Sequence, residues 1–123
     1  MLDHYRTQLT RLPFGIAALA SLVIIFMPAS GVPTAPPGTD KVVHFVLFGT
    51  LAATGRIAGF RTSRLLPGVV GYAAASEILQ GLLPIGRSCE VADALVDVAG
   101  AVAGWAVVAA VRRMRQVSGA SSR

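Results

Sequence analysis

The 123-residue sequence contains little charge and one cysteine. Charged residues make up 14% of it, against about 25% in soluble domains. Hydrophobic residues make up 54%, too many for a soluble domain of this size to bury and too many for a disordered chain. The single thiol, Cys89, forms no intramolecular disulfide, and no CxxC or Cys/His spacing of a structural zinc site is present. The composition therefore indicates a small integral membrane protein, and the net charge of +5 is no sign of nucleic-acid binding.

Four apolar segments are long enough to cross a bilayer, which takes about 20 residues. They are joined by short loops, and short loops favour antiparallel neighbours. The sequence therefore predicts an all-α, four-helix up-and-down bundle that forms a single domain over residues 1–123. Small residues, including Gly68, Gly71 and the GxxxG pair Gly100 and Gly104, predict close helix packing. The predicted spans cover about residues 13–29, 41–60, 65–84 and 91–111.

Basic residues are distributed unevenly between the two ends of the predicted bundle. All but two of the eleven lie at the end that holds both termini, whereas Lys41 and Arg87 lie at the other end. Because cytoplasmic loops are enriched in Lys and Arg, both termini are expected to be cytoplasmic. The basic residues at that end are Arg6, Arg11, Arg56, Arg61, Arg64, Arg112, Arg113, Arg115 and Arg123.

The N-terminal segment also fits a secretory signal peptide, because Arg6 and Arg11 precede an apolar run from Phe14 to Met27. Removal of such a peptide would take away the first span and leave the other three in the same orientation. We expect the first span to be retained.

Several ionisable side chains fall inside the predicted spans, where each costs about 2.5–3.5 kcal/mol on insertion scales and usually marks a functional site. Asp40 and His44 are four residues apart, as are Asp93 and Asp97, which places each pair on one helix face. A rise of about 1.5 Å per residue puts Glu77 about 10 Å and Asp97 about 9 Å below the outer helix ends. His44 and Asp93 are expected to form a shallower layer. Three helices therefore converge on one outward polar cluster.

The order and spacing of these polar residues resemble the VanZ-like family over about Asp40 to Trp105. Members of that family are small multi-span proteins of bacterial membranes, and the founding member is linked to low-level resistance to teicoplanin. The resemblance therefore implies a bacterial inner membrane location. The matching motifs are Asp40-Lys41-x-x-His44, Glu77-x-x-Gln80, Arg87, Asp93 and Asp97-x-x-Gly100-x-x-x-Gly104.

One position departs from the family pattern. The family usually has asparagine where this chain has Asp97, so a titratable acid replaces a neutral amide. This favours a protonated Asp97 or its pairing with His44 or Arg87.

The resemblance and the polar cluster together imply an envelope protein with a role in teicoplanin tolerance or in handling envelope lipids and precursors. Its expected partners are membrane lipids and an anionic lipid-linked precursor or lipoglycopeptide. The fork of Arg87 suits a phosphate or carboxylate group. The residues expected to bind the ligand are Asp40, Lys41, Gln80, Arg87 and Asp93.

Two alternatives remain open. The first is a membrane-embedded hydrolase or transferase acting on a lipid phosphate or glycolipid, with His44, Glu77 and Asp97 as catalytic acid/base residues. No cofactor is expected. A metal-dependent version of this enzyme would need His44, Glu77, Asp93 and Asp97 as ligands, and with one imidazole among several carboxylates, magnesium or manganese would be favoured over zinc. The second alternative is structural, with the polar groups satisfying one another and clamping three helices together. The oligomeric state is left open.

Overall fold

The computed structural model describes residues 1–122, and the regular structure in this range is entirely helical. Successive α-helices run in opposite directions, and a short 3-10 turn at Ala29–Gly31 follows the first one. The predicted all-α fold is therefore confirmed. Arg123, one of the basic residues counted above, lies outside the described residues. The α-helices are α1 (Leu2–Ile25), α2 (Thr39–Ile57), α3 (Thr62–Leu82) and α4 (Val91–Ser121).

Two helices extend ten or more residues beyond the predicted spans. Helix α1 begins at Leu2 and α4 continues to Ser121. A run of apolar residues predicts only the part of a helix that suits lipid. The helical hydrogen bonds of the backbone continue beyond that run into polar residues. Helix α1 also ends at Ile25, before the predicted boundary at residue 29. Pro28 explains this early end, since the residue before a proline is disfavoured in helical conformation.

Three helices in the described part of the chain, α1, α3 and α4, are long and apolar enough to cross a membrane. Helix α2 does not meet this criterion, because its 19 residues include Asp40, Lys41 and Arg56. Its crossing remains a prediction that follows from topology. Helices α1 and α3 run in the same direction, so if both span, the chain between them must return across the bilayer, and α2 is the segment that makes this return.

A close contact between α2 and α4, which run parallel to each other, forms the centre of the bundle. A Cβ atom at Gly104 would overlap the backbone oxygen of Gly49, and one at Gly100 would overlap that of Phe45. The absence of side chains at these glycines therefore lets the two backbones approach. Around Gly71, and likewise around Gly68, a Cβ atom would meet open space, so the packing predicted there is wrong.

The apolar core lies next to the polar side chains, one helical turn further into the bundle. Phe48 follows His44 by one turn in α2, Ala101 follows Asp97 in α4, and Ala73 precedes Glu77 in α3. All three apolar side chains are at most 1% exposed. The polar side chains are therefore held on a packed apolar layer that joins α1, α2, α3 and α4.

We expect Gly104→Ala to lower the free energy of unfolding by about 1–3 kcal/mol, because the added methyl group forces α2 and α4 apart. The control is Gly71→Ala, the same change at an open position of α3, which should stabilise the helix by up to about 1 kcal/mol. Denaturant unfolding in detergent micelles measures both. Equal stability of the two variants would show that the fold does not depend on this contact.

Candidate functional site

The polar side chains gather at the end of the bundle where α1 and α3 end and α2 and α4 begin, here called the polar end. The first turns of α2 and α4 lie side by side because of the glycine contact. The loop after α3 brings further charged residues over them. The polar cluster consists of Asp40, Lys41, His44, Glu77, Gln80, Arg87, Asp93 and Asp97.

The deepest part of the cluster is a trio formed by His44, Glu77 and Asp97, one residue from each of α2, α3 and α4. The imidazole Nδ1 lies 2.8 Å from Asp97 Oδ1 and 3.9 Å from Glu77 Oε1. The three residues are 2%, 2% and 0% exposed. Of the two partners that the sequence suggested for Asp97, the structure brings His44 to it, while Arg87 lies beside Asp40.

Two carboxylate oxygens of this trio lack a hydrogen-bond partner within residues 1–122. Glu77 Oε2 accepts the backbone N–H of Glu90 at 3.1 Å, but Glu77 Oε1 and Asp97 Oδ2 are buried and unpaired. Buried polar atoms are nearly always hydrogen-bonded, so each exception needs an explanation.

Two ion pairs form the outer layer of the cluster around Lys41. The Lys41 ammonium lies 2.9 Å from Asp93 Oδ1 and 3.3 Å from Glu90 Oε2. It is therefore neutralised by groups of the protein itself. His44, which the sequence placed in this layer, reaches inward to the deep carboxylates instead, while its Nε2 atom lies 3.9 Å from Asp40 Oδ1.

Most N–H donors of the Arg87 guanidinium have no acceptor in the described part of the chain. Its Nε–H donates to the backbone oxygen of Met27 at 2.8 Å, and its guanidinium lies 3.8 Å from Asp40, beyond hydrogen-bond distance. A guanidinium has five N–H donors, and in the described part of the chain one of them is used. Gln80, in contrast, donates its amide N–H to the backbone oxygen of Ile25 at 2.9 Å and so fixes α3 to α1.

Two cavities of different character meet at the polar end. A groove of about 580 Å³ has mainly apolar walls, formed by the end of α1 and the proline-rich loop from Val32 to Gly38, with His44 on one side. A smaller cavity of about 180 Å³ is lined by polar residues such as Gln80. Asp40 and Arg87 border both cavities, so an apolar space and a polar space are joined at these two side chains.

A further cavity lies away from the polar cluster. It measures about 440 Å³, has almost entirely apolar walls between α1 and α3, and contains no residue of the cluster. Apolar walls without convergent polar groups are typical of a cleft between lipid-facing helices rather than of a specific site.

The sequence missed the backbone groups that hold the cluster in place. These are the carbonyl groups of Ile25 and Met27 and the N–H group of Glu90. Nearly every residue has a backbone N–H and a carbonyl group, so the sequence does not show which of them will bond to a side chain. The run of prolines and glycines predicted a loop, but not that this loop forms the wall of a groove.

The geometry allows two kinds of chemistry at the deep trio. The hydrogen-bonded His44 and Asp97 can share or transfer a proton. The same trio offers one ligand atom from each residue, all within 4.8 Å of one another, and Asp40, His44 and Asp93 do so nearer the surface. The catalytic and ligand-binding roles given to these residues by the sequence remain predictions.

Comparison with known proteins gives a family for the chain. No curated protein and no solved structure matches it. A family model described as VanZ/LLP1 matches residues 5–112, a range that contains the whole polar cluster and the glycine contact of α2 with α4. The resemblance found in the sequence is thereby confirmed, and the chain belongs to the VanZ/LLP1 family.

Proposed function

We propose that this VanZ/LLP1 protein binds an anionic amphiphile at the polar end, and that it does so on the outer face of the bacterial inner membrane. The amphiphile is a lipid-linked envelope precursor or a lipoglycopeptide of the teicoplanin type, which share an apolar chain and a polar head bearing anionic groups. Binding of this kind would contribute to glycopeptide tolerance or to the handling of envelope lipids.

The observation that carries this proposal is the junction of the two cavities. The apolar groove provides a surface for a hydrocarbon chain, and the polar cavity beside it provides hydrogen-bonding groups for a head. Binding sites for small molecules have this composition, with apolar walls and a few convergent polar groups.

Arg87 gives the proposed site its preference for an anionic head. Lys41 is already paired with Asp93 and Glu90, whereas most N–H donors of Arg87 are free within the described structure. A guanidinium binds phosphate or carboxylate through two parallel hydrogen bonds. Since Arg87 borders both cavities, an anionic group bound there would leave the attached chain in the groove.

The distribution of charge supports the proposed orientation. The end of the bundle opposite the polar end, here called the basic end, holds the arginines counted above, apart from Arg123. The guanidinium of Arg56 lies 4.2 Å from the centre of the Trp105 ring at this end. Trp is enriched at both membrane interfaces and marks this end as one of them, whereas the excess of Lys and Arg is found on the cytoplasmic side.

We expect reporter fusions after Ser30 to lie outside the cytoplasm, and fusions after Thr62 and at the C-terminus to lie inside. Alkaline phosphatase is active outside and green fluorescent protein inside, so paired fusions at each site give opposite signals. The prediction follows from the arginines at the basic end. A C-terminal fusion with high phosphatase activity would overturn the orientation.

We expect Arg87→Gln to weaken binding of an anionic lipid by at least about tenfold, because a hydrogen bond to a charged group contributes about 1.5–3 kcal/mol. The measurement is the dissociation constant of undecaprenyl phosphate, determined by native mass spectrometry in phosphatidylcholine nanodiscs. The matched control is Arg113→Gln, which removes the same charge from an exposed position at the basic end.

A second variant tests the groove separately from the charge. Ala35 is exposed and lines the groove, so Ala35→Trp fills it without altering the polar cluster. Both Ala35→Trp and Arg87→Gln should also abolish any teicoplanin tolerance that expression of the wild-type chain confers on a susceptible host. Unchanged lipid binding in both variants would overturn the proposed function.

The hydrogen bond between His44 and Asp97 favours a second candidate, an enzyme that cleaves or transfers a group of a lipid phosphate or glycolipid. His44 borders the groove and is held by a buried carboxylate, an arrangement that suits a general acid/base. Glu77 and Asp97 would act with it.

Turnover distinguishes the enzyme from a binding protein. If the protein is an enzyme, incubation of the purified chain with undecaprenyl pyrophosphate or a glycolipid gives a product that mass spectrometry detects. His44→Gln should then lower the rate at least about a hundredfold, within the range for general acid–base catalysis. Lipid binding without any product would exclude the enzyme and retain the binding function.

A further inference from the structure

The deep trio contains two buried oxygens without a hydrogen-bond partner in the described structure, one on α3 and one on α4. Glu77 Oε1, which has no hydrogen-bond partner, is the oxygen that lies 3.9 Å from His44 Nδ1. Asp97 approaches the same Nδ1 atom with Oδ1 and leaves Oδ2 unpaired. Lone pairs on two different helices therefore converge on one imidazole nitrogen.

The trio contains two acidic side chains and one basic side chain. Lys41 forms its ion pairs with Asp93 and Glu90, and Arg87 lies beside Asp40. Within residues 1–122, His44 is the one cationic partner found for Glu77 and Asp97. When both acids are ionised, a protonated imidazole offsets one of them, whereas a divalent cation offsets both, and uncompensated buried charge is strongly destabilising.

We propose that His44, Glu77 and Asp97 bind a divalent first-row transition metal ion. The ligands are Nδ1 of His44 and one carboxylate oxygen each from Glu77 and Asp97.

The two distances measured from His44 suit this assignment. Ligand atoms bound to one such ion at about 2.1 Å can lie at most about 4.2 Å apart. The separations from His44 Nδ1 to Asp97 Oδ1 and to Glu77 Oε1, 2.8 and 3.9 Å, are within that limit. Three protein ligands leave a coordination position open for water, as in sites that act on a substrate.

The surroundings supply part of the outer shell that metal ligands require. A ligating histidine usually directs its other ring nitrogen at a carboxylate, and ligating carboxylates accept further hydrogen bonds. Here Glu77 Oε2 accepts the N–H of Glu90, and Nε2 of His44 faces Asp40 Oδ1 at 3.9 Å, too far for a hydrogen bond. The two carboxylate oxygens are ligands that suit manganese, and the imidazole nitrogen is a ligand that suits iron and zinc.

The test is metal binding by the full-length chain, purified in detergent and stripped with a chelator. Electron paramagnetic resonance of added Mn²⁺ measures free and bound ion, and Zn²⁺ and Mg²⁺ are added as competitors. We expect about one bound Mn²⁺ per chain, displaced by Zn²⁺. Glu77→Gln and Asp97→Asn should each weaken binding by more than about tenfold, since even loss of an outer-shell partner costs 10- to 100-fold.

The matched control is Glu90→Gln, which removes an acid of the same type that belongs to neither candidate trio and keeps the backbone N–H that Glu77 accepts. It should bind Mn²⁺ within about twofold of wild type. Asp93→Asn distinguishes the outer trio of Asp40, His44 and Asp93. Loss of binding in Asp93→Asn but not in Glu77→Gln would overturn the proposal.

Wild-type protein alone also decides the question if a variant fails to fold. Mn²⁺ or Zn²⁺ should raise the melting temperature of the wild-type chain in a concentration-dependent way, because an ion that binds the folded state stabilises it. No bound ion and no shift in melting temperature would overturn the proposal. Lipid binding through Arg87 is measured separately, so that result would leave the proposed function standing.

Discussion

The close approach of α2 and α4 is the constraint on which the polar end depends. A Cβ atom at Gly100 or Gly104 would overlap the backbone of α2. Because these helices run parallel, the contact places the first turn of α2 and the first turn of α4 at the same level along the bundle axis. His44 therefore meets Asp97, and Lys41 meets Asp93 and Glu90.

The parallel pair also explains why acids collect at one end. Two helix N-termini lie together there, and the partial positive charge of each stabilises acidic residues in the first turn by about 0.3–1 kcal/mol. Asp40 and Asp93 occupy these first turns. The C-termini of the same helices lie at the basic end, where Arg56 is in the last turn of α2. At both ends, therefore, the side chains carry the charge that the helix dipole favours.

Proposed amphiphile binding and proposed metal binding use different parts of one structure. Arg87 and the proline-rich loop form the outer part, which borders open cavities. Glu77 and Asp97 form the inner part, which is closed by the apolar core. His44 belongs to both, because it borders the groove and contacts both deep carboxylates. A metal ion bound by His44 would therefore lie next to the groove.

The sequence determined the four helices, their alternating directions and which side chains would be polar within them, because composition and helical period act within one segment. It did not predict how far the helices extend, since Leu2 and Ser121 lie outside any apolar window. It placed His44 in one layer with Asp93, since the helical rise predicts the depth of a Cα atom in the bundle. The rise does not predict the direction in which the side chain extends. The inward turn of His44, the unpaired oxygens of Glu77 and Asp97 and the groove beneath the proline-rich loop were decided by the tertiary structure. These features depend on which helices are in contact and on how closely they pack. The packing distance is set by two helices together, so the pattern within either one does not predict it.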